Sequence, residues 1–221
     1  EDVRRKVLSA IKNSNYIPNN SARDLVRTKS DAVGLVVRGV SNPFYTDIIR
    51  AIERTITDAG FTMVMQQIGT CDDEVKCGAV MEREKRLQGI VFLGGRFDYT
   101  PADLAMLNVP FVCCSYSNRY GTLIEGEYSS VSIADGDTAQ QAVEELYRHG
   151  HRRIAALISR PNDQSISQLR YEGYVQALES HGIPVDPELV ISTGGFSAKD
   201  AYRAVQEKMA ENVDFTALFA I

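Results

Sequence analysis

The chain has no apolar run approaching the ~18 residues of a membrane span, and its first residues show no secretory apolar stretch. Cysteine is sparse. Cys71, Cys77, Cys113 and Cys114 are too few and too irregularly spaced for a disulfide scaffold, and the adjacent pair sits in an apolar run, where a buried free thiol is the usual state. Glycine and proline stand at ordinary levels beside 24% charged residues, which excludes a collagen-like or coiled-coil fibre and a disordered chain. What remains is 221 residues with 44% hydrophobic composition, enough to bury a core in one or two domains. These absences predict a soluble, cytoplasmic, globular protein with no membrane partner.

Catalytic signatures are missing as well. There is no GxGxxG after a strand, no GxxxxGK[ST] and no GxSxG. His149 and His151 flank Gly150 beside Arg152 and Arg153, a grouping that suits a helix end better than a metal site, which needs further ligands at suitable spacing. Cys71 and Cys77 lack a second pair to complete a zinc site. Asp72, Asp73 and Glu74 read as acids favoured at the first turn of a helix. We therefore expect no enzyme, no cofactor and no metal.

Charge is unevenly spread. Residues 1–30 carry seven Lys and Arg (Arg4, Arg5, Lys6, Lys12, Arg23, Arg27, Lys29) against Glu1, Asp2 and Asp24, a net of +4, while the whole chain stands at −5. A basic arm on an acidic body suits an anionic partner, nucleic acid first, although a solvated basic helix has the same composition.

The body alternates between two periods. Apolar or β-branched runs at 32–37, 62–67, 89–94, 110–115, 130–133, 153–159, 189–193 and 216–221 predict strands. Helical spacing lies between most of them: Phe44, Ile48, Ile49, Ile52 and Ile56 over 43–59, Leu169, Gly173, Val175 and Leu178 over 166–181, and Ala201, Ala204, Val205 and Met209 over 197–212. A further helix is expected over 100–108. Gly60, Gly150 and Gly182 fall where left-handed caps belong. Strand–helix alternation implies an α/β fold with parallel sheets covered on both faces and ligands held beyond the strands' carboxyl ends. A polar loop at 117–128 breaks the rhythm, placing a boundary near Asp135 between lobes of 32–134 and 135–221. The second lobe holds few strand–helix units and stops on an apolar strand, so we expect it to be incomplete.

Aromatic residues mark the strand ends. Phe44 and Tyr45 follow Asn42 and Pro43, and being consecutive on a helix they diverge by about 100° and cannot share one core, so one of them faces the crevice. Arg170 and Phe196 also stand at helix or strand ends, although each taken singly has an equally good packing role.

The segment VRRKVLSAIKNSNYIPNNSARDL, through Arg4, Lys6, Val7, Ala10, Ile11, Tyr16, Pro18, Asn19, Ala22, Arg23 and Leu25, is similar to the join between DNA-binding headpiece and core in the LacI/GalR (lactose/galactose repressor) family. The resemblance continues through GLVV at 34–37, Asn42-Pro43-Phe44-Tyr45, GHRRIAALI at 150–158, RYEGYVQALESHGI at 170–183 and GGFSAKDAYRAV at 194–205. Most of a helix-turn-helix headpiece and the final strands have no counterpart here.

The resemblance implies two Rossmann-like lobes with parallel sheets, as in periplasmic binding proteins, preceded by a helical hinge segment. Residues 1–30 would be the end of the headpiece plus the hinge helix. The function implied is a ligand-responsive transcriptional repressor, homodimeric, bound to operator DNA. Asn19, Ser21, Ala22 and Arg23 would lie against the minor groove and Leu25 would wedge between base pairs. Asn42, Phe44, Tyr45, Arg96, Asp135, Arg170 and Phe196 would bind a small effector, most simply a sugar, because Asp accepts from hydroxyls, Arg donates and rings stack on the apolar sugar face. Gly136 stands where the family often has Asn. The alternative is a periplasmic-type sugar-binding protein of a transport system, which shares the two-lobe core.

Overall fold

The structure is a computed structural model that describes residues 2–13, 30–39, 43–69, 72–96, 98–124, 126, 128–162 and 164–221. Its elements are α1 (Asp2–Asn13), β1 (Ala32–Arg38), α2 (Tyr45–Asp58), β2 (Thr62–Ile68), α3 (Glu74–Lys85), β3 (Gly89–Leu93), α4 (Pro101–Leu104), β4 (Phe111–Cys114), β5 (Ser129–Val131), α5 (Asp135–Arg148), β6 (Ile154–Ile158), α6 (Ile166–Ser180), β7 (Val190–Ser192), α7 (Ala198–Ala210) and β8 (Ala217–Ala220), with a 3₁₀ turn at Pro187–Leu189. Two parallel sheets result, ordered β2-β1-β3-β4-β5 and β7-β6-β8. This is the α/β architecture of parallel sheets that the alternating periods imply. Among the described residues no helix is long and apolar enough to cross a membrane.

The central strands are apolar on both faces because helices cover both. In β1, Leu35 and Val37 pack beneath Ile48, Ile49 and Ile52 of α2, while Val36 faces Val75 and Met81 of α3. In β6, Ile154, Ala156 and Ile158 meet Val143 of α5 and Tyr174, Ala177 and Leu178 of α6, and Ala155 faces Ala204 of α7. Gly60, Gly150 and Gly182 have φ of 81°, 93° and 68°, the left-handed conformation expected past a helix end.

Several boundaries and faces differ from the sequence reading. The helix expected over 100–108 is the single turn α4, closed by a capping box between Thr100 and Asp103. Pro43 makes the turn before α2, and Phe44 is that helix's N-cap. On α6 the buried side is Ser167, Gly173, Tyr174, Ala177 and Leu178; Val175 packs half-buried against the same core, and Tyr174 joins it fully buried. On α7 only Ala204 is buried and Met209 is exposed, because a three-stranded sheet leaves that helix little to lie against.

Candidate functional site

Strand order reverses at β1/β3 in the first sheet and at β6/β8 in the second, and the crevice outside the carboxyl ends at such a switch point is where α/β sheets bind ligands. At the first switch point the chain emerges as Arg38 from β1 and as Gly94-Gly95-Arg96 from β3. Gly94 has φ 70° and leaves no room for a side chain: a Cβ there would come 2.7 Å from the Tyr45 hydroxyl. Tyr45, from the first turn of α2, thus reaches over the strand ends. Burial pushes its pKa up, against a hydrogen bond from Ser115 and the positive charges of Arg170 and Arg38. Ser115 follows β4 with φ 55°, a conformation that costs energy for a non-glycine residue and that clusters at functional sites.

The second lobe brings its own pair. Asp135, the first residue of α5, is buried, and Arg170 of α6 donates from Nε to its Oδ1 at 2.9 Å. The two helices approach closely enough for this because Gly173 of α6 has no side chain to meet the α5 backbone. A Cβ on Gly173 would fall 2.1 Å from the Gly136 carbonyl oxygen. Gly136, at the position where the resembled family often has Asn, therefore belongs to the α5–α6 contact.

Beneath the first-lobe wall lies a buried polar cluster. Glu74, 1% exposed at the start of α3, accepts from the Arg96 backbone N–H at 2.7 Å and faces Arg38 Nε at 3.7 Å. The rings of Tyr99 and Tyr116 stack on each other beside it, their centroids 6.2 Å apart. Burial and the nearby Glu74 carboxylate push the Tyr99 hydroxyl's pKa far above its ordinary value, and burial does the same to Tyr116. Residues 72–74 do stand at the start of α3: Glu74 lies in its first turn and Asp73 caps it through the Lys76 N–H. Asp72 accepts instead from the Gly69 N–H, and Glu74 is in addition a buried residue supporting the crevice.

Of the residues expected to bind an effector, Asp135 and Arg170 pair directly, and the charge of Arg170 is felt at the Tyr45 hydroxyl. Arg96 is tied into its own loop, with Nε on Asp98 at 2.9 Å and Asp73 at 3.7 Å from Nη1. Phe44 is 54% exposed and lines a groove along α2, apart from the second lobe. Phe196 stands beyond β7, also exposed. Asn42 lies outside the described residues, as do Asn19, Ser21, Ala22, Arg23 and Leu25. Sequence reasoning missed Arg38, Glu74 and Ser115. The one available signal was a charged residue closing the apolar run of β1.

His149 is the C-cap of α5, its Nδ1 2.9 Å from the Glu145 carbonyl, and His151 meets Thr216. Among the described residues no group of three His, Cys, Asp or Glu could hold a metal ion. Cys77, Cys113 and Cys114 are free thiols with raised pKa, Cys113 to about 12 through burial, and are therefore poor nucleophiles.

Residues 30–221 match the family model described as periplasmic binding proteins and sugar binding domain of LacI family. The chain is 37% identical over 225 residues to the HTH-type transcriptional regulator MalR of Clostridium butyricum, covering 100% of this chain and 66% of that protein. It is 31% identical over 224 residues to the regulator CelR of Thermobifida fusca, covering 99% and 64%. Among solved structures, a CelR–cellobiose complex superposes with TM-score 0.70 at 29% identity, covering 98% of this chain and 64% of that one. A lac repressor dimer bound to operator and an anti-inducer, 22% identical, shares the fold with TM-score 0.75 over 98% and 64%. The chain thus spans just under two thirds of these relatives. The family match takes in both sheets and the polar groups between them, and the chain belongs to the family of periplasmic binding proteins and LacI-family sugar-binding domains.

Proposed function

We propose that this chain is the effector-binding core, with the hinge, of a LacI/GalR-type transcriptional repressor. In this reading residues 1–30 are the end of a DNA-binding headpiece plus a hinge helix, 32–134 the first lobe and 135–221 the second. The observation that carries it is the extent of the similarity. MalR aligns over the whole chain, the basic arm included, whereas the shared sugar-binding family begins at residue 30. A transport-type binding protein shares the core and gives no reason for the arm to match. The named relatives are transcriptional regulators, and no enzymatic role forms part of the proposal.

The effector is a sugar held between the lobes by Tyr45, Asp135 and Arg170, with Asn42, Arg96 and Phe196 as further contacts, while Phe44 faces the groove along α2. The CelR–cellobiose complex supports that class. Operator DNA is bound in the cytoplasm through the hinge, where Leu25 is the wedge and Asn19, Ser21, Ala22 and Arg23 the groove contacts. The partner subunit is a second copy. In support of this, Phe44, Ile48 and Ile52 of α2 line an open apolar groove of about 540 Å³ with Val131 and Ile133.

The test is a pair of variants in the complete protein. Leu25→Ala is expected to weaken operator binding and reduce DNA bending while sugar affinity survives. Arg170→Ala is expected to lose the sugar response while DNA binding survives. Operator titration with a bend assay, with and without sugar, reads both. Two variants that behave like the parent would leave a tether and an unused cleft, and the proposal would fail.

A further inference from the structure

The arginines Arg38, Arg96 and Arg170 at the carboxyl ends of the two sheets differ from the cationic clusters that bind phosphorylated ligands, because each of the three stands beside a carboxylate. Arg38 Nε lies 3.7 Å from Glu74, whose carboxylate is fully buried. Arg170 is held at 2.9 Å by Asp135, itself 8% exposed. Arg96 is shared between Asp98 and Asp73. Arg160, beyond β6, is exposed and donates from Nε to the Gly194 carbonyl. A phosphate drawn into the crevice would lose its water and meet these carboxylates as well as the arginines, which makes its burial costly. A hydroxyl both donates and accepts. An arginine–carboxylate pair offers the complementary acceptor and donor together, since Nε is only one of five guanidinium donors.

We propose that the effector is an uncharged sugar, not a sugar phosphate or nucleotide, and that Glu74 and Asp135 set this selectivity by neutralising Arg38 and Arg170, one pair in each lobe. The inference rests on the crevice being the effector site, and it adds Arg38 and Glu74 to the groups that determine what enters.

Calorimetry on the protein with glucose, galactose, ribose, maltose and cellobiose, beside glucose 6-phosphate, ribose 5-phosphate and inorganic phosphate, tests it. Binding of a neutral sugar with loss of affinity for its phosphate is expected. A phosphate that binds more tightly than its neutral parent overturns the inference and leaves the effector site standing. Binding by none of the probes would remove the effector reading itself, and this proposal with it. Glu74→Gln, nearly isosteric, should shift the ratio of phosphate to neutral affinity toward phosphate by roughly tenfold. An equal loss for every ligand would make Glu74 a packing residue only. Asp135→Asn carries the same test in the second lobe should Glu74→Gln not fold, with the melting transition as the check.

Discussion

Gly136 and Gly173 face each other across the α5–α6 contact, yet they tolerate a methyl group very differently. A Cβ on Gly173 would overlap the Gly136 carbonyl at 2.1 Å, whereas one on Gly136 would stand 3.5 Å from the Leu169 carbonyl, an ordinary contact. Gly173→Ala should cost about 1–3 kcal/mol through overpacking and displace Arg170 one turn earlier, while Gly136→Ala should be near neutral; urea denaturation of both checks this. Tyr174 is the largest fully buried side chain, and its hydroxyl donates to the Ile154 carbonyl at 2.8 Å. Burial, then Tyr171 and Asp186, raise its pKa from 10.0 to about 12. A raised folded-state pKa means that the stabilisation is complete below pH 10.0 and is lost as pH climbs through about 12. Tyr174→Phe should therefore lower stability by about 1 kcal/mol at neutral pH and flatten the fall between those two pH values, as denaturant midpoints across the range would reveal.

Short elements depend on their ends more than on their length. α4 is one turn, too short to be stable by propensity. Thr100 closes it: its hydroxyl donates to Asp103 Oδ2 at 2.7 Å, its backbone N–H reaches the same oxygen at 2.8 Å, and the Asp103 N–H returns a bond to the hydroxyl. The Thr100 side chain and then its N–H hold the Asp103 carboxyl below its ordinary 3.8. A depressed folded-state pKa contributes stability above that value and loses it as pH falls below it. Thr100→Ala should cost about 1 kcal/mol and raise the Asp103 pKa, which carboxyl NMR titration would show. Tyr120, in the loop after β4, donates to Glu172 of α6 at 3.1 Å, and Ile166 and Leu169 of α6 pack against the core that holds Tyr99 and Tyr116, so these residues tie the lobes together.

At the scale of the whole molecule, an apolar surface lies open along α2 and the outer strand β5. No residue of α2 is fully buried, and Val131 and Ile133 are 65% and 58% exposed. An apolar groove of this kind beside an edge strand is a hazard unless another chain covers it. Val131→Lys with Ile133→Lys should convert the proposed dimer to monomer at micromolar concentration with little change in the protomer's own stability, because both side chains already face solvent. Sedimentation equilibrium with a parallel melt would decide, and a double variant that remains dimeric would place the interface elsewhere.

The order of strands and helices was legible because the apolar period of each segment reports its conformation, and because Gly60, Gly150 and Gly182 carry φ values other residues resist. Tyr45, Asp135 and Arg170 were named together through the family resemblance; the fold sets Tyr45 and Asp135 at helix starts and Arg170 in the second turn of α6. Period says which face of a helix is apolar but not how much covers it. α7 therefore offered Met209 to a core that a three-stranded sheet could not provide, and α6 buried Tyr174 more deeply than Val175. Glu74 marks the limit most clearly. Beside Asp72 and Asp73 it reads as one more acid at a helix start, and its burial follows from Arg38, 36 positions earlier, and from Arg96 and Tyr99 more than twenty positions later. A buried charge is defined by its partners, and tertiary packing alone brought these within reach.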